Sequence, residues 1–197
     1  MVLVKNTISE DIFELFCNNN NVACRRVPVA NIPTPDYEIA IGSDSIYVEI
    51  KQIDLGDSGK IPGRSSDGKQ ICSKIHEARK QAQSAASAEK PFVLLVYNNA
   101  DRFQLQGTEH HEFLTGMHGR FVLNLYKDGQ QCDSYYDKDG GLNSRKNTSF
   151  SGIGHLSTIS GTPKVKVYTN PYAKNILRQL PECFEVVNVE IDRNDLK

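Results

Sequence analysis

No stretch of the 197-residue sequence is apolar for long enough to cross a bilayer. The longest, Pro91–Tyr97, falls far short of the ~20 residues that a spanning helix needs. The opening MVLVKNTI has neither an apolar h-region nor a small-residue cleavage site, so no secretory leader is expected. Cysteine is sparse and unpatterned: five residues, an odd number, with no CxxC. That excludes a disulfide framework and a zinc ribbon, and it makes a reduced, cytoplasmic setting the expectation, with no membrane partner. Charge excess is missing too. Lys plus Arg number 23 against 24 Asp plus Glu, a formal net charge of −1, which argues against a strongly basic nucleic-acid coat. There is no internal repeat, low-complexity tract or long linker. What remains, 39% apolar and 24% charged, is the composition of an ordinary globular protein, and the order of its helices and strands makes it a single α/β domain over residues 1–197.

Several familiar chemistries are also absent. Gly63–Gln70 nearly spells a phosphate-binding P-loop, but Gln70 stands where a Ser or Thr must hold Mg²⁺. His110, His111, Glu112 and His118 lack the HExxH spacing of a zinc site, and adjacent histidines on a helix diverge by about 100°. Asp137–Gly141 hints at a calcium loop, yet Tyr135 and Lys146 occupy its first and last ligand positions. No GxSxG elbow occurs.

The pattern that is present begins with a helix over Glu10–Asn18, capped by Ser9 and burying Ile12, Phe13, Leu15 and Phe16. A strand over Cys24–Val29 is weakly marked. Tyr37–Ile41 and Ile46–Ile53 alternate with period two about Gly42–Ser45 and read as a β-hairpin. A polar loop over Asp54–Gly68 leads to a helix over Gln70–Ala88, and then to the apolar strand Pro91–Tyr97, which reads as buried on both faces. Farther on, a short helix from Thr108 to Gly116, strands over Arg120–Tyr126, Lys164–Tyr168 and Phe184–Ile191, and a loop over Asp133–Ser149 are expected. Asn170-Pro171 reads as the start of a helix that Pro181 ends.

If Ile41 faces Ile46, then Glu38 faces Glu49 and Asp36 faces Lys51. Tyr37, Ile39, Ile41, Ile46, Val48 and Ile50 then share one apolar face. Two carboxylates about 5 Å apart repel by about 3 kcal/mol at an effective dielectric of 20. A wet sheet face has no need of that arrangement, whereas Mg²⁺ relieves it through carboxylate oxygens.

Pro35-Asp36, followed thirteen residues later by Glu49-Ile50-Lys51, resembles the PD-(D/E)xK signature of the restriction-endonuclease-like nuclease superfamily. The succession of helix, hairpin, helix and apolar strand resembles the αβββαβ core of that family over about residues 8–98, leaving 99–197 as an extension. The resemblance implies a central mixed sheet flanked by helices and a Mg²⁺ or Mn²⁺ held by Asp36, Glu49 and the Ile50 carbonyl. It implies catalytic roles for Asp36, Glu49 and Lys51, with Lys51 assisting the attacking water. Glu14, Glu38 and Gln81 are its auxiliary candidates, although a solvated role for Glu14 fits its helix face equally. Lys69, Lys74 and Arg79 would meet nucleic acid, more readily DNA, and family members often act as homodimers. The alternative is a nuclease-like scaffold that binds nucleic acid or partners without cutting. The neutral total then becomes an average. Residues 1–50 carry three basic against seven acidic groups (−4), and residues 51–90 carry eight against five (+3).

Overall fold

The computed structural model describes residues 6–55, 68–101, 103–104, 107–127, 129–137 and 139–190. Residues 56–67, most of the expected polar loop and five of the eight residues of the P-loop-like stretch, lie outside them. Helix α1 (Ile8–Asn19) starts earlier than Ser9 suggested. Thr7 is the cap: its hydroxyl accepts from the Glu10 amide at 3.3 Å, while the Glu10 carboxylate accepts from the Thr7 amide at 2.6 Å. Ser9 is buried instead, and its amide donates to the Gln52 side chain. The helix buries Phe13, Phe16 and Cys17 but leaves Leu15 half exposed.

Strands β1 (Cys24–Arg26), β2 (Tyr37–Ile41) and β3 (Asp44–Ile53) form an antiparallel meander. The turn between β2 and β3 is Gly42-Ser43, with φ +59° at Gly42, a conformation that glycine adopts without steric cost. This tight turn shifts the register from the expectation. Ile41 faces Asp44, Ile39 faces Ile46 and Glu38 faces Tyr47, so the expected Glu38–Glu49 and Asp36–Lys51 pairs do not form. A shift of two residues keeps every side chain on its face, and the apolar partition survives.

The expected single helix over Gln70–Ala88 is two: α2 (Lys69–Glu77) and α3 (Arg79–Ser87), broken at Ala78 (φ −85°, ψ 3°). They pack with α4 (His110–His118) on one side of the sheet, over Leu94, Val96 and Ile153. Helix α1 covers the other side, over Ile39, Val48, Val93 and Leu95. Between them runs β4 (Phe92–Asn98), buried at every residue and parallel to both neighbours, as its unbroken apolar run requires. The contact of α2 with α4 depends on glycine: a Cβ on Gly68 (φ +71°) would stand 2.2 Å from the Gly116 amide nitrogen.

The second half supplies β7 (Gly152–Ser157), β8 (Lys164–Thr169) and β9 (Phe184–Val187), and the seven-stranded mixed sheet runs β1-β2-β3-β4-β7-β8-β9. Strand β7 has no counterpart among the expected elements. The expected strand over Arg120–Tyr126 is β5 (Phe121–Leu125), and it pairs as a separate ribbon with β6 (Gln131–Tyr136), which runs into the expected loop. No helix follows Asn170-Pro171. Asn170 caps only its own turn, accepting from the Tyr172 amide at 3.0 Å. The backbone beyond is then drawn to other partners, Lys174 N–H to the Thr148 carbonyl and the Asn175 carbonyl to the Ser151 hydroxyl. Among the described residues no helix is long and apolar enough to cross a membrane.

Candidate active site

Strand β2 begins its pairing with β3 at Tyr37–Val48, so beyond that rung the outer edge of β3 has no ladder partner. The Asp36 side chain takes its place: Oδ2 accepts from the Ile50 amide at 2.8 Å. Within a strand the N–H and C=O of one residue project to the same edge, so the Ile50 carbonyl points the same way. The register continued by one residue sets Asp36 against Glu49. The opposed like charges that sequence assigned to Glu38 and Glu49 thus belong to Asp36 and Glu49.

The Glu49 side chain is buried, and its Oε1 meets the Lys51 ammonium at 2.7 Å. The other oxygen, Oε2, is buried with no hydrogen-bond partner. Burial, then the charge of Asp36, pushes the Glu49 carboxyl up to about 7, against the opposing pull of Lys51. Burial likewise raises Asp36, outweighing the Ile50 amide and Lys51. For Lys51 burial acts downward, but the two carboxylates overcome it and hold the ammonium above its usual range. At neutral pH the site is therefore a charged Lys51 between two carboxyls reluctant to ionise together.

The auxiliary candidates occupy different surroundings. Glu14 is committed elsewhere: Oε1 accepts from Arg26 Nε and from the Tyr37 hydroxyl, each at 2.8 Å. The first-helix acid whose field reaches Asp36 is Glu10. Glu38, on the same face as Asp36, accepts from Arg25 (2.6 Å) and Ser45 (2.6 Å), which hold its carboxyl below the usual range. Gln81 on α3 has a buried amide oxygen with no hydrogen-bond partner. Among the expected nucleic-acid contacts, Lys69 and Arg79 are exposed at the starts of α2 and α3. Lys74 pairs with Glu77 at 2.9 Å, and Glu77 is close enough to act on Lys51, so this pair borders the site.

Sequence reasoning passed over Arg26, Tyr37, Glu10 and Glu77. Arg26 lies over the Tyr37 ring, 5.0 Å from its centroid, and its charge acts on Asp36. No spacing rule marks these residues: Arg26, Tyr37 and Glu10 meet through β1 pairing with β2 and through α1 packing against them, and Glu77 arrives on α2. The remaining histidines assemble no site: His110 meets the Tyr168 hydroxyl at 3.1 Å, and His118 lies buried.

Among the described residues no three His, Cys, Asp or Glu side chains gather as a metal-binding group. Two carboxylates and a backbone carbonyl nevertheless suit Mg²⁺, which commonly takes one or two protein carboxylates and keeps its other positions for water and substrate oxygens. The unpartnered Oε2 of Glu49 is the observation that fits such a cation: a buried acceptor with no hydrogen bond, in a carboxyl that feels the charge of Asp36. In comparisons with known proteins, the chain matches no family model, no curated protein and no solved structure.

Proposed function

We propose that the protein is a divalent-metal-dependent nuclease that hydrolyses phosphodiester bonds, in DNA ahead of RNA. The observation that carries this reading is the Asp36–Glu49 pair, with its unpartnered Glu49 oxygen and Lys51 at 2.7 Å. Support also comes from the order α1-β1-β2-β3, helices, β4, which follows the αβββαβ core that the PD-(D/E)xK resemblance implies.

Asp36, Glu49 and the Ile50 carbonyl would hold Mg²⁺ or Mn²⁺. Once bound, the cation supplies Lewis-acid charge to the scissile phosphate and makes water a better nucleophile. Asp36 is oriented for this by the Ile50 amide. Lys51, kept cationic by its two carboxylate neighbours, orients the attacking water and stabilises the charge that grows on the phosphoryl oxygens. Glu49 changes role with the cation: without it the carboxyl retains a proton near neutral pH, and with it the carboxylate is a ligand.

The test is incubation of purified protein with plasmid, single-stranded DNA and RNA in Mg²⁺, Mn²⁺ or EDTA. Cleavage should require the cation and disappear in Glu49→Ala and Lys51→Ala. Cleavage that persists in either variant overturns the assignment. Binding that is indifferent to EDTA, with no cutting under any condition, makes the protein a non-catalytic nucleic-acid module.

A further inference from the structure

A cavity of about 700 Å³ opens at the turn end of the β2–β3 hairpin, between that turn, the chain entering β4 and the segment after β8. Three cations line it: Lys90, half-buried, and Lys174 and Arg178, both exposed. Two carboxylates, Asp44 and Glu89, line it as well. No ion pair among the described residues engages any of the three cations. The two basic segments are fastened together, since Asn175 Nδ2 donates to the Lys90 carbonyl at 3.2 Å. The Asn175 carbonyl in turn accepts from Ser151 at 2.5 Å. The cations are thus set around a hollow by backbone ties rather than scattered over a loop.

The cavity also has a defined relation to the candidate active site. Ser45 lines it, and Glu49 lies four residues farther along the same strand, about 13 Å at strand rise. Lys90 acts electrostatically on Glu38, which shares its sheet face with Asp36 and Glu49. Along one strand of a duplex, 13 Å of axis is about four nucleotides. A partly exposed stretch of sheet, Ala40, Ser45 and Tyr47 with Glu38 paired to Arg25, joins the two places.

We propose that Lys90, Lys174 and Arg178 form a second phosphate-binding site, which grips the nucleic-acid backbone about four nucleotides from the bond held at Asp36, Glu49 and Lys51. This rests on the nuclease reading for its substrate, but it concerns affinity and not chemistry. The cavity supplies ionic contacts without base readout, so its contribution is independent of sequence and falls with salt.

The experiment measures binding of a fluorescent 20-mer duplex in EDTA, so that no cutting intervenes, across a salt series. Lys90→Gln/Lys174→Gln/Arg178→Gln is compared with wild type and with Lys127→Gln, an exposed cation on the β5–β6 turn. The expected result is a slope of log K against log salt smaller by about two to three, with at least a tenfold loss of affinity at low salt, in the triple variant alone. A small phosphodiester, bis(p-nitrophenyl) phosphate with Mn²⁺, cannot reach the cavity and should be hydrolysed equally by wild type and triple variant. An unchanged slope, or a wild-type protein that does not bind the duplex, overturns the proposal. If the slope changes while no phosphodiester is ever cleaved, the second site stands and the nuclease reading fails. If cleavage proceeds with the slope unchanged, the reverse holds.

Discussion

The start of strand β2 is met by acidic groups from both faces of the sheet, and the two groups are built on opposite principles. On the α1 face, Glu14 accepts two hydrogen bonds at 2.8 Å from Arg26 and Tyr37, and Arg26 donates a third to the Tyr37 hydroxyl at 2.7 Å. Every charge there has a partner. On the other face, Asp36 and Glu49 share one ammonium, a Glu49 oxygen has no donor, and burial raises both carboxyls. A folded chain tolerates an unsatisfied acidic pair only at a cost in stability, and such costs concentrate where a ligand relieves them. The satisfied cluster needs nothing beyond the fold; the frustrated one is where the proposed chemistry is assigned.

The sharpest way to break this contrast is to exchange the expected consequences. Glu49→Ala and Lys51→Ala should lower cleavage by about 10³-fold or more while leaving the fold intact, read by single-turnover kinetics and circular dichroism. Tyr37→Phe on the satisfied face should do the converse. It removes the hydroxyl of a buried tyrosine that bridges Arg26 and Glu14, costing about 1–2 kcal/mol, or a few degrees in Tm, while cleavage below the melting range stays within about twofold. A Tyr37→Phe variant as inactive as Lys51→Ala would abolish the distinction between the faces.

How far the sequence discloses this site depends on the range of the forces involved. Side-chain alternation in β2 and β3 is local, so the partition of faces and the grouping of Asp36, Glu49 and Lys51 are legible from the residues. Register is set by the turn, and a two-residue turn at Gly42-Ser43 cannot be told from a longer one by alternation alone. Alternation alone therefore sets the acidic opposition at Glu38, whereas the turn sets it at Asp36. The capping box at Thr7 and Glu10 was legible in principle, but Ser9 is an equally good capping residue and masked it. The segment after Asn170 carries sound local helix signals and is overridden by bonds to Thr148 and Ser151, more than twenty residues away. Tertiary competition of that kind leaves no trace in periodicity. Strand β7 was missed because Gly152 and Gly154 have low strand propensity. They stand there because Cβ atoms would press within 2.8 Å of the Val167 side chain and 2.7 Å of Leu95.

The frustrated pair also gives stability a dependence on pH and metal. The Glu49 carboxyl ionises near 4.5 in the unfolded chain and near 7 in the fold, so between those values the folded state holds the extra proton. Its contribution to stability is fully present below about 4.5 and is lost as pH rises through about 7. His118, buried, and His155, half-buried, are both lowered to about 4 by desolvation and act in the opposite sense, and stability gains from them as pH rises from about 4 to 6.5. The Glu49 effect is therefore read as wild type minus Glu49→Gln in EDTA, a difference that should decline between pH 5 and 8. Mg²⁺ should raise the wild-type Tm more at pH 8 than at pH 5.5 and leave Glu49→Gln nearly unmoved. A metal response equal in the two proteins would place the cation elsewhere.

The smallest expected effect separates the two registers. Had Glu38 faced Glu49, Glu38→Gln would relieve a like-charge pair and raise Tm. In the observed register Glu38 faces Tyr47 and takes hydrogen bonds from Arg25 and Ser45, so the same substitution removes favourable contacts. These lie at a solvated edge, with the Arg25 side chain 78% exposed, and salt screens them. The expected outcome is a fall in Tm of about 1–2 °C in low salt that fades in high salt, with cleavage unchanged within about twofold. Because Glu38 is held below the usual carboxyl range, its stabilisation is present above the unfolded pKa and lost as pH falls through the folded one. The Tm difference between wild type and Glu38→Gln should therefore close in acid, the reverse of the trend expected at Glu49. Opposite pH slopes from two glutamates on one sheet face would show that only one of them is buried beside a second carboxyl that its counter-charge does not offset.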